Sequence, residues 1–191
     1  MARSAFSLTL GREHFRDMAF LRQKLGKTML QFTQQHYFAL KLFSALGCGL
    51  MAGVFFAFST FVMKALARLQ PKEGMTAMQS INITAINPLF MGIFLGTAAT
   101  CIFIAGSALL NWYQPKSAYL LIGSLFYFIG TFGVTILCNV PLNEALAIAD
   151  PDSANGASLW ANYLINWTIW NHVRTISALL ASAAITIAFY E

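Results

Sequence analysis

FALKLFSALGCGLMAGVFFAFSTFVM, residues 38–63, carries a single charge, Lys41. A segment of about 20 mostly apolar residues is long enough to cross a bilayer as a helix. Hydrocarbon offers nothing to backbone N–H and C=O groups, so a crossing segment must bond its own backbone. Small residues recur here every four positions, at Ala45, Gly49, Gly53 and Ala57, and form a ridge that lets a second helix lie close. Working outward, three more runs share the character: 89–110, 118–138 and 173–189. The last is short alone but continues an aromatic segment upstream. The sequence therefore predicts an all-α fold, a four-helix transmembrane bundle over residues 37–191. Residues 1–36 form a basic, polar N-terminal segment.

Composition agrees. Charged residues make up 10% of the chain and mean hydropathy is +0.62, against about 25% charged residues in an average soluble chain. A soluble domain of this balance would expose apolar patches large enough to aggregate. Half of the twelve Lys and Arg precede the first span: Arg3, Arg12, Arg16, Arg22, Lys24 and Lys27. By the positive-inside rule this places the N-terminus in the cytoplasm, and the bacterial inner membrane is the expected location. Lys64, Arg68 and Lys72, in the next loop, pull the other way. The basic residues read as a topological anchor on a lipid surface, and nucleic acid is not an expected partner. Residues 12–35 carry a rough apolar stripe, Phe15, Met18, Ala19, Leu21 and Leu25, as an amphipathic surface helix would.

Gly92, Gly96 and Thr100 repeat the small-residue device in the second span, and Gly123 and Gly130 in the third. Such ridges pack helices within a chain; Gly49 and Gly53 also offer a contact for a homo-oligomer. Cys48, Cys101 and Cys138 lie in three different spans with no CxxC, and read as small core residues rather than a disulfide framework. His14, His36 and His172 are widely separated, and no metal-ligand spacing occurs, so no metal is predicted.

The richest segment follows residue 158. Trp160, Tyr163, Trp167, Trp170 and Arg174 fall at helical spacing on one face, with Asn171 and His172 beside them. One reading is an interfacial aromatic belt with an arginine reaching for phosphates. The other is a pocket for a flat polar ligand, with rings for stacking and Arg174 for an oxygen. With four antiparallel spans, Asn82 and Asn87, Asn139 and Asn143, and Asn171 reach the same membrane edge. Unpaired polar groups are costly there, so a shared network is expected. Capping beside Pro88 and Pro141 is the simpler role for Asn87, Asn139 and Asn143.

The strings Gly53-Val-Phe-Phe-Ala-Phe-Ser-Thr-Phe-Val-Met63, Ala77-Met-Gln-Ser-Ile-Asn82, Asn87-Pro-Leu-Phe-Met91, Asn139-Val-Pro-Leu-Asn143 and Trp167-x-x-Trp-Asn-x-x-Arg174 resemble the anthrone oxygenase-like membrane proteins, from about residue 40 to 187. The resemblance implies oxidation of a tricyclic anthrone to an anthraquinone with O2 and no evident cofactor. On that reading His172 is the candidate base, with Arg174 and Asn171 holding the developing oxyanion. Tyr163, Trp167 and Trp170 stack the rings, and Asn82, Asn87, Asn139 and Asn143 line the substrate site. The alternative is a non-enzymatic membrane protein that binds a lipid or quinone, or serves as a subunit of a larger complex.

Overall fold

The computed structural model describes the backbone of residues 2–153 and 155–190; of the side chains it describes 24, 25, 27, 31 and those from residue 34 onward, 154 and 191 excepted. Its helices run in chain order without a strand among the described residues. The first, α1, is Ala2–Ala57 and continues through a π-helical turn, Phe58–Val62, into Met63–Leu66. Then come α2 (Pro71–Ala85) and α3 (Pro88–Leu110). Helix α4 opens as Ser117–Leu125, widens over Phe126–Gly133 and Thr135–Asn139, and closes as Val140–Ala147. Helix α5 is Gly156–Ile187. The chain divides into two compact units, Met1–Leu40 and Lys41–Glu191. Most of the expected amphipathic stripe at Phe15–Leu25 lies outside the described side chains.

Among the described residues three segments are long and apolar enough to cross a membrane: Gln34–Leu66, Pro88–Leu110 and Ser117–Ala147. The fourth expected span is not separate. It is the second half of the 32-residue α5, and Asn171, His172 and Arg174 stand where its apolar run would begin. The third span also outruns its expected end at residue 138. Pro141 does not stop it, because a proline lacks the N–H that an α-helix uses, and this one falls just after a wide turn that has already displaced the regular bonding.

Helix ends follow local chemistry. Asn87 caps α3, accepting from the Phe90 N–H at 3.0 Å while Pro88 fills the first turn, where a missing N–H costs nothing. Within the second unit, Gly49 lies 3.3 Å from Ser182 Oγ by the position its missing Cβ would take, and Ser182 donates to the Ala45 carbonyl at 3.0 Å. Part of the first-span ridge is thus used inside the chain, against α5. Gly130 serves likewise in α4: a Cβ there would run into the Ser177 side chain.

One hydrophobic cluster gathers the ends of several helices. Met63, Leu66, Met75, Met78, Leu146, Trp160, Tyr163 and Trp167 are all buried in one cluster. It joins α2 to the end of α4 and the start of α5. Gln79 Nε2 donates to the carbonyls of Leu146 at 2.8 Å and Ala149 at 3.1 Å, tying α2 to the chain at the end of α4.

Candidate functional site

The polar residues of α4 recur every four positions: Tyr127, Thr131, Thr135, Asn139 and Asn143. On a regular α-helix each such step overshoots a full turn by about 40°, so the five would wind well around the axis. A π turn holds an extra residue. The wide turns of Phe126–Gly133 and Thr135–Asn139 span this stretch and absorb the drift. Four of the five then bond α5 or its side chains.

Asn171 is the hub. It is fully buried, and its Nδ2 donates to the Phe55 carbonyl and to Ser59 Oγ, both at 2.7 Å. Thr175 Oγ1 donates to the Asn171 carbonyl at 2.8 Å, and Ser59 closes the ring against Thr175 at 3.1 Å. Ser59 lies in the π turn of α1, so that turn, like those of α4, faces α5 with a polar group. Widened turns of this kind concentrate at functional sites.

Arg174 sits on this hub. Only 4% of it is exposed. Its guanidinium donates to Asn171 Oδ1 at 2.8 Å and to Thr135 Oγ1 at 3.3 Å. Cζ lies 4.3 Å from the centre of the Phe55 ring and 5.0 Å from that of Trp167. No carboxylate pairs with it among the described residues; the ion pair found there joins Lys72 to Asp152 at the surface, 2.6 Å apart. Nε of Arg174 and Oδ1 of Asn139 are both buried with no hydrogen-bond partner. Asn139 uses its other end, Nδ2, on the Trp167 carbonyl at 3.2 Å. An orphan donor and an orphan acceptor, both next to Trp167, are what a ligand would be expected to meet.

The aromatic wall continues from there. Trp167 stacks on Tyr163 with centroids 6.1 Å apart, and Tyr163 on Trp160 at 5.6 Å. Asn143 Oδ1 accepts from both the Tyr163 hydroxyl and Trp167 Nε1, each at 2.8 Å. Asn82 Nδ2 reaches the same hydroxyl at 3.5 Å. Burial pushes the Tyr163 phenol above its ordinary pKa, so it stays protonated and donates.

The structure thus gathers Asn82, Asn139, Asn143, Tyr163, Trp167, Asn171 and Arg174. It does not gather three others. Asn87 is spent as the α3 cap. Trp170 is 39% exposed, at the edge of the stripe that buries its neighbours. His172 is exposed on the far side of α5. Ser59, Thr131, Thr135, Thr175 and Phe55 were not singled out in the sequence. The four-residue spacing of Thr131 and Thr135 with Asn139 was a visible signal for two of them.

A family model described as anthrone oxygenase matches residues 90–184. The matched segment holds α3, α4 and most of α5, and with them Asn139, Asn143, Tyr163, Trp167, Asn171 and Arg174. The chain belongs to the anthrone oxygenase-like family. Among the described residues it is all-helical, with three segments long and apolar enough to cross a membrane. No curated protein and no solved structure matches the chain.

Proposed function

We propose that this anthrone oxygenase-like protein binds a flat aromatic or quinone-type small molecule through Arg174 and the orphaned oxygen of Asn139, and oxidises it. The observation that carries this is Arg174: a cation 4% exposed, flanked by two rings, held by an amide and a hydroxyl, and matched by no carboxylate among the described residues. Burying such a charge is costly. A ligand oxygen that becomes anionic during reaction would repay that cost at the moment it matters.

For an anthrone-type C–H acid the step balances simply. The methylene carbon loses a proton to give an enolate, whose oxygen Arg174 and Asn171 stabilise. The carbanion adds O2, and the resulting hydroperoxide loses water to leave the quinone carbonyl: one CH2 and one O2 become one C=O and one H2O. His172 faces away from this cluster, so the reading gives the proton to water, from a substrate acidified by the guanidinium. The setting is the bacterial inner membrane with the N-terminus in the cytoplasm, testable by reporter fusions at either end.

The test is oxygen uptake by the detergent-purified protein with 1,8-dihydroxyanthrone. Quinone formation above the uncatalysed rate is expected, and Arg174→Lys should lower it by about two orders of magnitude, as loss of one oxyanion donor does. Turnover unchanged in that variant would overturn the reading. Tight binding of the probe without turnover would favour the non-enzymatic alternative.

A further inference from the structure

We propose that Asn143 is a positioning residue: it clamps Trp167 and Tyr163 through one shared oxygen, and so fixes the wall on which Arg174 lies. This rests on the reading of Arg174 as the ligand-holding group. The arrangement is unusual in its economy. One amide oxygen accepts two ring donors from successive turns of α5, each at 2.8 Å. Amide oxygens have two lone pairs, so Oδ1 is fully used and is not available to a ligand.

What the clamp controls follows from the stack. The interplanar angles are 23° between Tyr163 and Trp167 and 16° between Trp160 and Tyr163, so the three rings form a nearly parallel column. An indole has one polar handle. With Nε1 held by Asn143, the Trp167 ring is pinned at its edge, and its face is presented to the Arg174 guanidinium 5.0 Å away. Phe55 covers the guanidinium at 4.3 Å. Without the clamp, Trp167 Nε1 and the Tyr163 hydroxyl become buried donors in need of partners, and the ring has no reason to keep its tilt. The polar spacing of α4 supports the same assignment. Asn139, one step earlier, leaves its Oδ1 orphaned, whereas Asn143 Oδ1 accepts twice. The two asparagines of the Asn139-Val-Pro-Leu-Asn143 string are thereby assigned different tasks: Asn139 faces the ligand and Asn143 holds the wall.

The experiment compares Asn143→Leu, which keeps the branched shape and loses the acceptor, with Asn143→Asp, which keeps both acceptor sites. Ultraviolet resonance Raman reads the indole N–H marker, with Trp167→Phe identifying the band. Binding of 1,8-dihydroxyanthrone is read by quenching of tryptophan emission. In Asn143→Leu the marker should move to its unbonded position, and binding should weaken about tenfold, the scale of one buried hydrogen bond. In Asn143→Asp both should return toward the parent values. A bonded indole signature in Asn143→Leu, or parent-like binding by that variant, would overturn the assignment. So would failure of Asn143→Asp to restore either. If the parent chain does not bind the probe at all, the reading of Arg174 fails, while the Raman band still decides whether the clamp exists.

Discussion

Asn171 and Arg174 allow a double-mutant cycle whose sign pattern is set by the structure. Asn171→Leu removes the oxygen that holds the guanidinium at 2.8 Å and the two donors given to Phe55 and Ser59 at 2.7 Å. A bond to a charged group contributes about 1.5–3 kcal/mol and a buried neutral group left unpaired costs about 1–3 kcal/mol. The expected loss is therefore about 3–5 kcal/mol, most of it the stranded cation. Arg174→Met should cost less, about 1–2 kcal/mol: it leaves Asn171 Oδ1 unpaired, but it removes a buried charge that has no carboxylate to lose and fills the space with an unbranched side chain. The double variant should then be more stable than the sum of the two losses implies, by about 1.5–3 kcal/mol, the size of the charge-assisted bond. The assay is reversible unfolding in mixed micelles, followed by tryptophan emission. Additive losses, or an Asn171→Leu loss below about 0.5 kcal/mol, would show that the guanidinium does not depend on the hub. Activity should separate from stability in the same series. Arg174→Met should be well folded and inert.

Three further outcomes are expected. Deleting Ile129, which is exposed in the wide turn of α4, should turn Thr135 and Asn139 away from α5; anthrone oxidation should fall to background while circular dichroism keeps its helical signal. Gly130→Ala should destabilise by about 1–3 kcal/mol through overpacking against Ser177, and Ser177→Gly in the same chain should recover most of it in a melting series. Lys72 is exposed, and its hydrogen bond to Asp152 raises its pKa. A raised lysine pKa stabilises below the ordinary lysine range and loses that contribution only as pH climbs through the folded value, so the small drop in melting temperature caused by Lys72→Ala should be the same at every pH from 5 to 9.

Hydropathy made the spans legible, because a run such as 38–63 admits one solvent. It also made α5 ambiguous: the side of the helix that holds the site is the side that dilutes its apolar count. The aromatic face was readable from spacing at Trp160, Tyr163, Trp167 and Arg174, since those positions obey a regular helix. Asn139 and Asn143 were readable as polar partners but not as helical ones, because a proline between two asparagines reads as a turn. No local signal announces a π turn, and with it went Ser59, whose hydroxyl meets α5 from within the widened turn of α1. His172 was misleading for the opposite reason. Its neighbours in sequence are site residues, but one position along a helix is about 100° around it.

The last helix brings an arginine and an asparagine that hydrocarbon will not accept unaccompanied. Its partners, Phe55, Ser59, Thr131, Thr135 and Asn139, all lie on segments made earlier. The three apolar helices can enter lipid on their own account, whereas α5 gains its place only by docking into what they have already built. Biogenesis then has a fixed order, and burial of the arginine is its last act: a nascent chain halted before residue 156 would hold Ser59, Thr135 and Asn139 with no α5 yet to bond them.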